Sequence, residues 1–113
     1  MIQQTDLRIL NLMVEKIDRL TSVTNQYTLQ EIEETYILSD SIQFEFEKLY
    51  EDSTKLSPEF RINHSDFPYD KLRGIRNRVA HDYESVIIRI LVDTINNDLP
   101  AFKNQILGLI NEK

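Results

Sequence analysis

The chain has 113 residues, 41% apolar and 28% charged, a globular balance that argues against disorder and is long enough to bury one core. It has no cysteine, which excludes a disulfide scaffold, a cysteine nucleophile and a thiolate metal site, and its 2 glycines and 3 prolines are too few for the turns of a β-sandwich or barrel. The net charge of −6 is unevenly spread: residues 1–54 carry 4 basic and 11 acidic side chains, residues 55–89 carry 7 and 5, and residues 90–113 carry 2 and 3.

The N-terminal MIQQTDLRIL lacks the basic n-region and long apolar core of a signal peptide. No later apolar run approaches the roughly 20 residues of a bilayer span, so a soluble, cytoplasmic protein without membrane contact is expected. Leu10, Met13, Val14, Ile17 and Leu20 recur at three- and four-residue steps and predict a helix over about 5–22, with Asp6, Glu15, Lys16 and Arg19 toward water. Thr21 to Thr28 is polar and β-branched and reads as a connection. Thr28, with Glu31 three residues on, forms a capping box for a second helix. That helix is expected to run from about 29 to 55, with Ile32, Tyr36, Phe46, Leu49 and Leu56 on or near one stripe. Ile37, Leu38 and Phe44 lie off it; either neighbouring helices cover this surplus or it forms a subunit interface. Residues 57–66, SPEFRINHSD, are expected to be irregular, with His64 an exposed loop residue. Pro68 then sits in the first turn of a third helix that buries Leu72, Ile75 and Val79. The chain is expected to bend near His81–Ser85 and to continue as a helix with Val86, Ile90 and Leu91. Asn97 or Asp98 caps a last helix with Pro100 in its first turn and a stripe of Leu99, Phe102, Ile106, Leu109 and Ile110. The sum is a single all-α domain, residues 1–113, of four or five helices.

Chemistry has few places to sit. No Gly-rich phosphate loop, GxSxG or HExxH occurs, and the spacing of His64 and His81 matches no standard zinc site, so no cofactor is expected. Lys71, Arg73, Arg76 and Arg78 fall within eight residues with no acid among them. This is a basic patch on an acidic body, whose plainest use is a solvated helix face. Asn77 and His81 are four apart and share a helix face, so the amide can orient the imidazole, and Arg73 lies one turn back. Arg76 is five residues from His81, about 140° around an ideal helix; both reach one ligand only if the helix bends or a second subunit helps build the site. A guanidinium binds phosphate bidentately and stabilises charge developing on it. An imidazole takes or gives the proton of a ribose hydroxyl or a leaving oxygen. An Arg–His pair without metal is therefore adequate for transesterification at an RNA phosphate.

The run Arg76-Asn77-Arg78-Val79-Ala80-His81-Asp82-Tyr83 resembles the R-N-x-x-x-H-x-Y signature of the HEPN superfamily, specifically the HepT-like toxins of HEPN–MNT toxin–antitoxin pairs. Arg-x4-His alone arises by chance in roughly one chain of this length in four; fixing the Asn and Tyr lowers that below about one in a thousand. The likeness extends to Leu56-Ser57-Pro58-Glu59-Phe60, Phe67-Pro68-Tyr69, Gly74-Ile75-Arg76-Asn77 and Asn97-Asp98-Leu99-Pro100, covering about residues 45–110. Glu51 stands where many members carry Glu after a Gly. Tyr69 departs from the usual Trp, Tyr50 from the usual Gly, and Asp82 from a common Gly; Asp82 is placed to orient His81, to pair with Arg78 or to repel a phosphate.

The resemblance implies an antiparallel HEPN-type helical bundle acting as a metal-independent endoribonuclease toxin of type VII, shared across a homodimer. On that resemblance Arg76 and His81 are catalytic, Asn77 and Asp82 support them, and Lys71, Arg73 and Arg78 contact RNA phosphates. Tyr83 would receive AMP from a minimal nucleotidyltransferase antitoxin. The alternative is a non-catalytic nucleotide-binding or scaffold subunit of a nucleotidyltransferase complex, toward which the net charge and Asp82 lean. A plain helical adaptor would explain the core and leave the motif to chance.

Overall fold

The computed structural model describes residues 2–81 and 88–111, and its regular structure there is helical throughout, with no strand. Helix α1 (Gln4–Gln26) buries Leu7, Leu10, Met13, Ile17 and Leu20; of the expected stripe Val14 is only partly buried, and Leu7 joins it. It runs a turn beyond the expected end at residue 22. The Thr21 hydroxyl donates to the Ile17 carbonyl at 2.9 Å and the Thr24 hydroxyl to the Thr21 carbonyl at 3.1 Å, so these polar residues are satisfied within the helix. Asp6 is buried rather than turned to water, and Lys16 is largely covered.

The capping box at Thr28 forms as expected: Glu31 N donates to Thr28 Oγ1 at 3.1 Å, and Thr28 N donates to Glu31 Oε1 at 2.9 Å. The single helix expected over 29–55 is instead two, α2 (Leu29–Glu34) and α3 (Tyr36–Thr54), parted at an extended Thr35. The core stripe of α3 is Ile42, Phe46, Leu49 and Ser53. In an unbroken helix Ile32 would sit about 80° from Ile42, so the break lets both enter one core. Tyr36, expected on the stripe, is 73% exposed, because it lies about 120° from Ile42.

Residues 57–66, expected to be irregular, contain α4 (Pro58–Asn63). Ser57 caps it, its hydroxyl accepting from Phe60 N at 3.1 Å, with Pro58 in the first turn. His64 closes α4 half-buried, its ring tilted over Phe60 with centroids 4.5 Å apart, and is not the free loop residue expected. Then follow α5 (Tyr69–His81), α6 (Ile88–Asn97) and α7 (Leu99–Asn111). The stop and restart at Asn97–Pro100 is as expected, with Asp98 N bonded back to the Thr94 carbonyl and Phe102 N to the Asp98 carbonyl. Ile90 is 38% exposed, and the expected bend after His81 lies outside the described residues, as does Val86.

Helix α1 packs along α3 and against α6 and α7, α2 packs on α3 and α6, and α5 packs on α3. Phe67 meets Phe60 and Phe102 edge-on at 5.4 and 5.2 Å, tying α4 and the start of α5 to α7. Arg61 Nη2 donates to the Ser53 carbonyl at 2.9 Å, and its guanidinium lies 4.4 Å from the Tyr69 ring. The end of α3 therefore meets the start of α5, and the two run antiparallel. No helix among the described residues is long and apolar enough to cross a membrane.

Candidate active site

Helix α5 turns Leu72 and Val79 into the core and leaves Arg73, Gly74, Asn77 and Arg78 in solvent. Arg76 falls between these faces, on the flank toward α3, and is half-buried. Its guanidinium lies 5.6 Å from the centroid of the Tyr50 ring, and Nη1 donates to Asn77 Oδ1 at 3.2 Å. One cation is thus held between an aromatic face on α3 and an amide on its own helix. That limits its rotamers while the site stays open to solvent.

The basic run does not form one patch, because its members leave α5 in different directions. Lys71 points toward α7 and pairs with Asp98 at 3.2 Å, on the rim of a groove of about 200 Å³ floored by Leu72, Ile75, Leu99 and Phe102. Arg73 pairs with Asp70 at 3.5 Å. Both are exposed pairs of the kind worth about 0–1 kcal/mol, so either cation can exchange its carboxylate for a phosphate at little cost.

Helix α5 is continuous from Tyr69 to His81, so no bend separates Arg76 from His81. The angle of about 140° between the two positions persists within one chain. The contacts of Tyr50 with Arg76 and of Arg61 with Ser53 and Tyr69 set the last turns of α3 beside residues 69–76 of α5, the two helices running antiparallel. The amide oxygen of Asn77 is engaged by Arg76, so this residue steadies the guanidinium. Asp82 and Tyr83 lie outside the described residues, as does the side-chain geometry of His81.

Residues 13–108 match the family described as Ribonuclease HepT-like, and that span contains all of α2, α3, α4, α5 and α6. The chain belongs to the HepT-like ribonuclease family. This HepT-like chain is similar to a provisionally named RNase, TTE0752, of Caldanaerobacter subterraneus subsp. tengcongensis, 31% identical over 58 residues, which is 51% of this chain and 52% of that protein. It is also similar to a protein named probable ribonuclease HepT from Thermococcus cleftensis, 23% identical over 96 residues, 81% of this chain and 87% of that protein. The chain therefore spans about half of the first relative and most of the second. No solved structure matches it.

Two features of this HepT-like site were not read from the sequence. Tyr50 was noted only as a departure from the family's Gly, yet it is the platform beneath Arg76. A weak signal existed: Tyr50 lies four residues after the core residue Phe46, where a flank position can face a neighbouring helix. The other is Asp6, which accepts from Ser57 N at 2.8 Å and from Ser57 Oγ at 2.6 Å and so fixes the start of α4 behind the site. Nothing local in the sequence marks that pairing.

Proposed function

We propose that this chain is a cytoplasmic, metal-independent endoribonuclease that acts as the toxin of a HEPN–MNT pair. The observation that carries the reading is Arg76, half-buried over Tyr50 and braced by Asn77, within the R-N-x-x-x-H run of a HepT-like ribonuclease chain. Arg76 binds the scissile phosphate through its fork and stabilises the negative charge that builds on it. His81 takes the proton of a ribose 2′-hydroxyl, whose oxygen attacks phosphorus. The bond from phosphorus to the 5′-oxygen breaks, leaving a cyclic phosphate, and a second imidazole protonates the departing oxygen. Lys71, Arg73 and Arg78 add contacts to flanking phosphates.

A homodimer supplies the second imidazole from the partner's His81 and removes the angular problem between Arg76 and His81. Ile37 and Phe44, large apolar side chains exposed on α3, support an interface there. Silencing by a nucleotidyltransferase that places AMP on Tyr83 completes the reading. An added phosphate beside Arg76 and Arg78 would occupy the ground that an RNA phosphate needs.

The test is cleavage of single-stranded RNA by the purified protein, with and without EDTA. His81→Ala should lower the rate by about 10²–10⁴-fold with helicity intact, and EDTA should leave the wild-type rate unchanged. Arg76→Lys should restore little over Arg76→Ala, because lysine offers a point charge and no fork. Wild-type cleavage retained by His81→Ala would end the mechanism.

A further inference from the structure

Gly74 is the sixth residue of the 13-residue helix α5. Glycine inside a helix weakens it, because the unfolded chain gains backbone freedom and the folded one gains no side-chain contact. Among the described residues the fold gives no reason for it. No glycine among the described residues has positive φ, and a Cβ built at Gly74 meets nothing within 4 Å. Alanine fits this position and favours the helix. The small residue must therefore serve something that approaches α5 from outside.

The surroundings identify the visitor. In the helix register Gly74 lies between Arg73 and Arg78, next to Asn77, and on the same side as position 81. Arg73, Asn77 and Arg78 are exposed, and among the described residues no apolar side chain borders Gly74 on this face. A second α5 laid across it would bring the same arginines against these and would find no apolar seam to close. A polyanion finds Arg73 and Arg78 on either side with bare backbone between them, and it displaces the exposed carboxylate of Asp70, one turn back on this face, from its 3.5 Å pairing with Arg73. We infer that Gly74 is an RNA contact point: the missing Cβ lets the sugar–phosphate backbone rest directly on α5, with Arg73 and Arg78 flanking it, and so sets how deep the scissile phosphate sits. The inference rests on the ribonuclease reading and adds a depth-setting position to it.

The experiment compares wild type, Gly74→Ala and Gly108→Ala. Gly108 in α7 is the control: it is exposed, its Cβ would also meet nothing within 4 Å, and its helix neighbours Asn104, Gln105 and Asn111 are uncharged. Both variants should raise the Tm by about 2–6 °C, since each replaces an exposed helix glycine. Gly74→Ala should weaken binding of a labelled single-stranded RNA oligonucleotide and lower kcat/KM about tenfold or more, because a displacement near 1 Å is costly in a positioned site. Gly108→Ala should bind and cleave as wild type. The inference is overturned if Gly74→Ala matches wild type in RNA affinity and cleavage, or if it loses self-association while its RNA affinity is kept, which would make a second helix the visitor. A wild type that binds RNA without cutting it would count against the ribonuclease reading alone, because the affinity comparison would still decide the role of Gly74.

Discussion

An arginine that must meet a phosphate does best when its rotamers are limited beforehand, since a free side chain of that length loses up to about 2 kcal/mol of entropy on binding. Tyr50 and Asn77 provide that limit for Arg76, the ring contact contributing on the order of 0.5–1 kcal/mol at its partly exposed position. The R-N-x-x-x-H run that nominates Arg76 and His81 is a short local pattern and is visible in the sequence. The Tyr50 platform is not, because it depends on how α3 and α5 are laid side by side. Tyr69, at the start of α5, offers a test of local burial. Burial raises its phenol above the ordinary 10.0, Arg61 opposes the rise, and Asp6 and Asp66 add to it. As pH rises the unfolded chain ionises Tyr69 first, so the stability this residue contributes is full below pH 10.0 and is lost as pH climbs through the raised folded value. The Tm difference between wild type and Tyr69→Phe should therefore stay constant through neutral pH and move in favour of the variant above pH 10.0. Parallel Tm curves across that range would show that Tyr69 is not held protonated by the fold.

Elements with local signals were read well. The stripe of α1, the Thr28 capping box and the Asn97–Pro100 restart each lie within one or two turns of chain. The break at Thr35 carries no glycine or proline and is imposed by the need to bury Ile32 beside Ile42, which is tertiary information. Ser57-Pro58 reads as the end of one helix, but a capping Ser followed by Pro is equally a start signal, and α4 is six residues long. Asp6 shows the same limit more sharply. It reads as a polar flank of α1, but it is 2% exposed and accepts two hydrogen bonds from a residue 51 positions away. Asp6→Ala should lose about 1–3 kcal/mol in urea unfolding, because the half-buried Ser57 donors lose their partner and α4 loses its anchor. Asp6→Asn, which keeps one acceptor, should lose less. A loss under about 0.5 kcal/mol for the alanine variant would mean that α4 is held by its aromatic contacts alone.

On the scale of the whole molecule, an apolar face and a catalytic geometry point to the same assembly. Of the three residues expected off the stripe of α3, Leu38 packs against the core, while Ile37 and Phe44 are 63% and 56% exposed and lie seven residues apart on one line of the helix. The subunit-interface reading therefore narrows to Ile37 and Phe44, with exposed Tyr36 beside them. Exposed Asp40 and Ser41 lie between Ile37 and Phe44 on this line, and Lys48 lies 5.3 Å from the Phe44 ring at its rim. The proposed homodimer would use a two-fold contact through Ile37 and Phe44 to bring two copies of α5 together. That arrangement suits a site whose Arg76 and His81 diverge by about 140° along an unbroken helix, since each chain then completes the other's. Light scattering at micromolar concentration should report about twice the 13.4 kDa of one chain. The double variant Ile37→Glu, Phe44→Glu should be monomeric, keep its helical circular dichroism and lose RNA cleavage, because both changes lie on solvent in the single chain. A monomeric double variant that cleaves RNA at the wild-type rate would place the complete site within one chain, and the divergence of Arg76 and His81 would then have to be resolved by the substrate spanning both faces of α5.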